Sequence, residues 1–171
     1  MDLPVKYEVL IVTLSDRAHR GEYEDLSGPA IRQRIEEFMK SEGWEFSIDL
    51  ALIPDDTAEL EKLVKSASSV YDLIFTTGGT GIGPRDITVE IVRPLLSKEI
   101  PGIMEYIRVK YGAEKPNALL SRGIAGITGK SLIYTLPGSV KAVDEYMTEI
   151  LRTLKHTLLM FHGIDSHLKN Q

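Results

Sequence analysis

Tyr71-Asp72-Leu73-Ile74-Phe75-Thr76-Thr77 runs straight into Gly78-Gly79-Thr80-Gly81-Ile82-Gly83-Pro84-Arg85-Asp86. The first half is apolar on both alternating sets of positions, as a strand covered on both faces must be. The second half packs four glycines into six residues. A tight strand-to-helix turn needs one or two. The surplus suits a loop that brings backbone N–H groups close to a ligand. After it, residues 89–96 read as a helix with Ile91, Val92, Leu95 and Leu96 on one side.

The same alternation extends outward in both directions. Residues 7–14 (Tyr-Glu-Val-Leu-Ile-Val-Thr-Leu) and 44–53 read as further strands. Between them, Ser27 is placed as a helix cap, Pro29 in the first turn, Ile31, Ile35 and Phe38 on the apolar stripe, and Gly43 at the stop. Asp55 or Asp56 caps a helix carrying Leu60, Leu63, Val64 and Ala67, and Pro101-Gly102 opens another with Ile103, Ile107 and Tyr111. Residues 124–128 and 132–136 read as two strands joined by a Gly129-Lys130 turn. The last helix opens near Ser139, with Val140, Val143, Met147, Ile150, Leu154, Leu158 and Phe161 as core positions. Strands alternating with helices predict a mostly parallel sheet covered on both faces, with a small antiparallel edge at the 124–136 hairpin. Ligands in such sheets bind at the carboxyl ends of the strands. The expected site therefore lies near Ser15 and Gly78.

Composition narrows the chemistry. The 171 residues hold 20 Lys plus Arg, 25 Asp plus Glu, a formal charge of −5 and no cysteine. That length suits one domain over residues 1–171. Without cysteine there is no disulfide, thiolate nucleophile or Cys-ligated metal. An acidic chain is not expected to bind nucleic acid broadly. No apolar run approaches the roughly 18 residues of a membrane span, and no signal peptide opens the chain, so a cytoplasmic setting is expected.

Two glycine motifs fail. A dinucleotide fingerprint read from Gly81 meets Asp86 where its third glycine belongs. Gly129-Lys130-Ser131 resembles the end of a P-loop, but Ile124 occupies the required earlier glycine position and a strand follows. Lys130 and Ser131 either face a ligand from that turn or form an ordinary hairpin. Asp86 reads equally as a metal carboxylate or as a helix cap, whereas for Asp55 and Asp56 the cap reading leads. Ser15-Asp16-Arg17 offers a hydroxyl, a carboxylate and a guanidinium at the ligand edge, and Arg17 suits a phosphate. Ser121-Arg122 and Pro137-Gly138-Ser139 are smaller polar clusters of the same kind. The histidines 19, 156, 162 and 167 show no zinc spacing, and no Gly-x-Ser-x-Gly elbow is present.

Taken together, Thr76-Thr77-Gly78-Gly79-Thr80-Gly81 with Pro84-Arg85-Asp86-Ile87-Thr88 resembles the signature of the Mog and MoaB group of molybdenum-cofactor biosynthesis proteins, and of the matching domains of the plant Cnx proteins and gephyrin. Ser15-Asp16-Arg17-Ala18, Gly21-x-Tyr23-x-Asp25, Ile53-Pro54-Asp55-Asp56, Pro101-Gly102, Leu120-Ser121-Arg122 and Leu136-Pro137-Gly138-Ser139 stand in family order over about residues 7–160. Length and the His-containing tail resemble the MoaB branch; the aspartate motifs resemble the Mog branch. Val89 stands where Mog proteins commonly have proline.

The resemblance implies a three-layer αβα sandwich and a homotrimer or hexamer. It implies transfer of AMP from Mg-ATP to the terminal phosphate of molybdopterin, with hand-over of the product to a MoeA-like, molybdate-inserting protein. It makes Asp55 and Asp86 the essential, Mg²⁺-holding pair. It places the glycine loop, Ser121 and Ser131 in the pterin and nucleotide site. Two other readings stand beside it: a non-catalytic MoaB-type molybdopterin-binding paralogue or scaffold, and a CinA-type nucleotide pyrophosphatase.

Overall fold

The computed structural model describes residues 4–164. In chain order its elements are β1 (Lys6–Leu14), α1 (Asp16–His19), α2 (Ser27–Glu42), β2 (Glu45–Ile53), α3 (Thr57–Ala67), β3 (Leu73–Thr77), α4 (Thr88–Val92), β4 (Lys98–Glu99), α5 (Pro101–Gly112), β5 (Ala125–Thr128), β6 (Ser131–Leu136) and α6 (Val140–Phe161). Six strands form one sheet in the order β2-β1-β3-β6-β5-β4. β2, β1, β3 and β6 run parallel, and β5 and β4 add an antiparallel edge. This is the expected mixed sheet, with the short β4 added beyond the expected hairpin.

Strand alternation divides the core. Tyr7, Val9 and Ile11 of β1 join Leu73 and Phe75 of β3 beneath α2, α5 and α6. Leu10, Val12 and Leu14 join Ile74 and Ile133 on the other face, beneath α3 and α4. Successive side chains point to opposite faces, so a strand apolar at every position needs two covering layers. The helix stripes supply them: Ile31, Ile35 and Met39 of α2 and Val143, Met147, Ile150, Leu154 and Leu158 of α6 are buried.

Local chemistry departs from expectation in three places. Ser27 does not cap α2; Asp25 Oδ1 accepts from the Ser27 and Gly28 N–H groups and the Ser27 hydroxyl. A carboxylate there satisfies more orphan donors than one hydroxyl and favours the helix N-terminus. Val140 stands exposed at the start of α6, before the stripe reaches the core. The segment expected as one helix over 89–96 is a single α-turn that tightens to a 3₁₀ turn over Arg93–Leu95, because Pro94 interrupts it. Other expectations hold: Gly43 closes α2 in the left-handed region at φ 69°, Asp56 caps α3 through the Glu59 N–H, and Ser139 caps α6 through the Ala142 N–H. His167 lies outside the described residues.

Glu149 of α6 is only 2% exposed and is held by three donors: Lys110 Nζ at 2.5 Å, Arg152 Nη1 at 3.0 Å and Tyr111 OH at 3.2 Å. Burial pushes its pKa up, but hydrogen bonds from Lys110, Arg152 and Tyr111 outweigh that and hold it below the usual carboxylate value. A depressed folded-state pKa contributes stability above the unfolded value that is lost as pH falls through the folded one. Glu149→Gln is therefore expected to cost about 1–2 kcal/mol at pH 7, with the gap to the parent closing toward pH 3. Urea titrations at both pH values check this; a gap that does not change with pH refutes it.

Candidate active site

The strand register builds the site. Leu14 of β1 pairs with Ile53 of β2, Thr13 with Thr77 of β3, and Thr77 with Leu136 of β6. Four parallel strands therefore end level, and the segment after each emerges on one edge. Ser15-Asp16-Arg17 follows β1, Pro54-Asp55 follows β2, the glycine loop follows β3 and Pro137-Gly138-Ser139 follows β6. The ladder runs on past the strands, with Ser15 N–H on Ile53 O and Gly78 N–H on Leu136 O, both at 3.0 Å. These segments line an open cleft of about 600 Å³.

Ser15, Asp16, Arg17, Asp55, Thr77, Gly79, Arg85, Asp86, Gly138 and Ser139 all border it. So do Thr13, Arg20, Tyr23, Asp25, Leu26 and Val140, which sequence reasoning did not place there as site residues. The available signal was the irregular, Gly-containing run from 20 to 27, which had to fold back over the end of β1. Asp25 ties it down: its Oδ2 accepts from Thr13 Oγ1 at 2.7 Å while its Oδ1 caps α2. Tyr23 donates or accepts with Ser15 Oγ at 2.7 Å, and the Arg17 guanidinium lies 5.2 Å from its ring centre.

The glycine loop is shaped by contacts that leave no room for side chains. Gly78 (φ 101°) and Gly79 (φ 68°) both occupy the left-handed half of backbone space. Thr88 fastens the loop, its hydroxyl donating to Gly78 O at 2.8 Å and its N–H to Gly79 O at 3.0 Å. Thr77 Oγ1 donates to Pro137 O at 2.8 Å and joins the loop to the start of α6. Among the described residues, the N–H groups of Gly79, Thr80 and Gly81 donate to no protein acceptor. Such N–H groups suit an anion.

The two readings of Asp86 separate here. It caps no helix: the residue before α4 is Ile87, without a side-chain cap. Its Oδ2 instead accepts from the Gly83 N–H at 2.7 Å. Asp55 is also free of capping duty, because Asp56 takes it. Burial, then the negative charge of Asp86, push the Asp55 carboxyl above its ordinary pKa. The two carboxylates thus feel each other across the cleft, an arrangement that a cation relieves.

Other expected residues have different surroundings. Arg122 does not extend toward the cleft as a free cation. Its Nε donates to Gly81 O at 2.7 Å, its Nη2 to Asp86 O at 3.2 Å, and its guanidinium pairs with Glu90. It braces the loop from behind. Ser121 lines a neighbouring pocket of about 220 Å³ with Tyr146, Pro137 and Ser139, its hydroxyl 2.9 Å from Tyr146 OH and 3.5 Å from Thr80 Oγ1. Ser131 opens β6, with Lys130 in the turn just before it, and lies five residues and roughly 16 Å from the strand's cleft end. Ser131 is buried and donates to Tyr71 O. The pair belongs to the hairpin turn, because β6 runs parallel to β3 and its beginning faces the opposite edge.

A family model described as "Probable molybdopterin binding domain" matches residues 10–156. The chain belongs to the Mog/MoaB family. It is 36% identical over 155 residues to a molybdopterin adenylyltransferase of Helicobacter pylori strain J99, covering 90% of this chain and 86% of that one. It is 39% identical over 155 residues to gephyrin of Dictyostelium discoideum, covering 86% of this chain but only 21% of that larger protein. The solved MoaB of Thermus thermophilus superimposes with a TM-score of 0.78 at 37% identity, covering 92% of this chain and 97% of that one.

For this Mog/MoaB chain the divalent cation implied by the family meets a sparse but suitable donor set. Among the described residues no three His, Asp or Glu side chains gather as a ready metal cage. Asp55 and Asp86 each keep an Oδ1 that accepts from no protein donor among the described residues. Mg²⁺ bound through one or two carboxylates plus substrate phosphates needs no more.

Proposed function

We propose that this protein is a molybdopterin adenylyltransferase of molybdenum-cofactor biosynthesis. The observation that carries the reading is the pairing of Asp55 with Asp86 across a cleft beside the unpartnered N–H groups of Gly79, Thr80 and Gly81. The terminal phosphate oxygen of molybdopterin forms a bond to the α-phosphorus of ATP, the bond from that phosphorus to the bridging oxygen breaks, and pyrophosphate leaves. The attacking phosphate monoester is already nucleophilic, so no Ser, Cys or His nucleophile is required. The barrier lies in juxtaposing two polyanions, which makes positioning and charge neutralisation the protein's task. Asp55 and Asp86 would hold Mg²⁺, which supplies charge neutralisation on the triphosphate. The loop N–H groups receive phosphate oxygens, and Arg17 at the rim adds positive charge. The net charge of −5 is no obstacle, since the anions meet this local set.

Incubation with molybdopterin, ATP and Mg²⁺ is expected to release pyrophosphate, and chelation by EDTA to stop it. Molybdopterin binding without release would identify the non-catalytic paralogue instead. We further propose a homotrimer: Tyr106 and Val109 of α5, with Leu119 and Leu120 after it, leave apolar surface that self-association would cover. Solution mass distinguishes it from a hexamer or a monomer.

A further inference from the structure

Asp16 borders the cleft, but its side chain is turned almost wholly to protein partners and is 12% exposed. Its Oδ1 accepts from the Asp55 N–H at 2.9 Å, and its own N–H donates back to Asp55 Oδ2 at 3.2 Å. Its Oδ2 pairs with the Arg85 guanidinium, on the residue next to Asp86. These bonds link loops 39 and 69–70 residues away in sequence. β1 supplies the fixed point, since Asp16 lies two residues past the end of the strand that pairs with both β2 and β3.

We infer that Asp16 is a positioning residue that sets the separation of the Asp55 and Asp86 carboxylates. It works by clasping the Asp55 backbone on one side and holding Arg85 on the other. The inference rests on the cation-binding role proposed for those two aspartates. The clasp explains why Asp55, on a loop after an edge strand, presents one oxygen to the cleft while the other is held by a backbone N–H. Arg85 ties down the exposed tip of the glycine loop, which Arg122 braces from the other side. A carboxylate is needed because one group must accept from a backbone N–H and a guanidinium at once.

The test compares Asp16→Asn, Asp55→Asn and the double variant by calorimetric titration of ATP at graded Mg²⁺. Asparagine can still accept from the Asp55 N–H but cannot pair with Arg85. Asp16→Asn is expected to raise the half-saturating Mg²⁺ about ten-fold while leaving Mg²⁺-free ATP affinity within two-fold. On the Asp55→Asn background it should add nothing further, as expected for a residue acting through another. Amide hydrogen exchange of Asp16→Ala supplies a readout independent of any ligand: the Asp55 amide should exchange at least ten-fold faster, with amides of β1 and β3 unchanged. Three outcomes overturn the inference: unchanged Mg²⁺ dependence in Asp16→Asn, a full ten-fold penalty persisting beside Asp55→Asn, or an Asp55 amide unaffected in Asp16→Ala. Failure of the adenylylation reading is distinct, since it appears as absent pyrophosphate release in the unaltered protein while the exchange result stands.

Discussion

Asp86→Asn is expected to lower pyrophosphate release at least a hundred-fold while leaving the melting temperature within about 2 °C. The substitution is nearly isosteric. The asparagine carbonyl oxygen can still accept from the Gly83 N–H that Asp86 Oδ2 receives at 2.7 Å, so the loop keeps its shape. What disappears is the negative charge that Asp55 feels and the carboxylate oxygen that no protein donor occupies. A hundred-fold corresponds to about 2.7 kcal/mol of lost transition-state stabilisation, a modest figure for one of two carboxylates holding a cation on a polyphosphate. Steady-state assays at saturating ATP and Mg²⁺, with thermal unfolding in parallel, decide it. Activity within ten-fold of the parent would remove Asp86 from the proposed cation site.

Gly78→Ala is expected to destabilise the fold by about 2–5 kcal/mol, the sum of left-handed backbone strain and overpacking. Gly78 has φ 101°, and a Cβ there would lie 2.4 Å from the carbonyl oxygen of Leu14, the last residue of β1. Leu14 is held by its pairing with Ile53 and Gly78 by its N–H on Leu136 O, so neither can move away without disturbing the strand ends. Two controls separate the causes. Gly21→Ala carries the strain alone (φ 75°, nothing within 4 Å) and should cost about 1 kcal/mol. Gly102→Ala in the first turn of α5 meets neither strain nor contact and should be neutral or stabilising by up to about 1 kcal/mol. Denaturant titrations rank the three; equal costs at Gly78 and Gly21 would show that the close approach to Leu14 is not what demands glycine.

The sheet was legible because its central strands β1 and β3 are apolar at consecutive positions, which only a doubly covered strand tolerates. β4 was not, since Lys98 and Glu99 are exposed charged residues that pair with β5 through backbone alone. The cleft's location followed from the strand ends, and most of its rim from the polar residues after them. Lys130 and Ser131 read as ligand contacts or as an ordinary hairpin turn because a turn's residues look alike at either end of a sheet; only the direction of β6 tells which end they occupy. Arg122 read as an anion ligand because charge is visible in sequence and its partners are not: Gly81 and Asp86 present backbone carbonyls, which every residue type carries. Asp25 was missed as the cap of α2 for a related reason. Ser27 stood nearer the helix start, and only the fold shows that one carboxylate oxygen of Asp25 reaches three donors there.

The level ending of β1, β2, β3 and β6 also bears on how the protein comes to be made. The cleft draws on segments near residues 15, 25, 55, 78–86 and 138, and no short stretch of chain contains them all. They meet only when parallel strands far apart in sequence have found their register, the slowest kind of pairing for a chain to achieve. During synthesis β6 emerges after β1, β2 and β3, so a chain in which it is still unmade lacks the wall formed by Gly138 and Ser139. Such a chain already carries Asp55 and Asp86 but has only part of the cleft's rim.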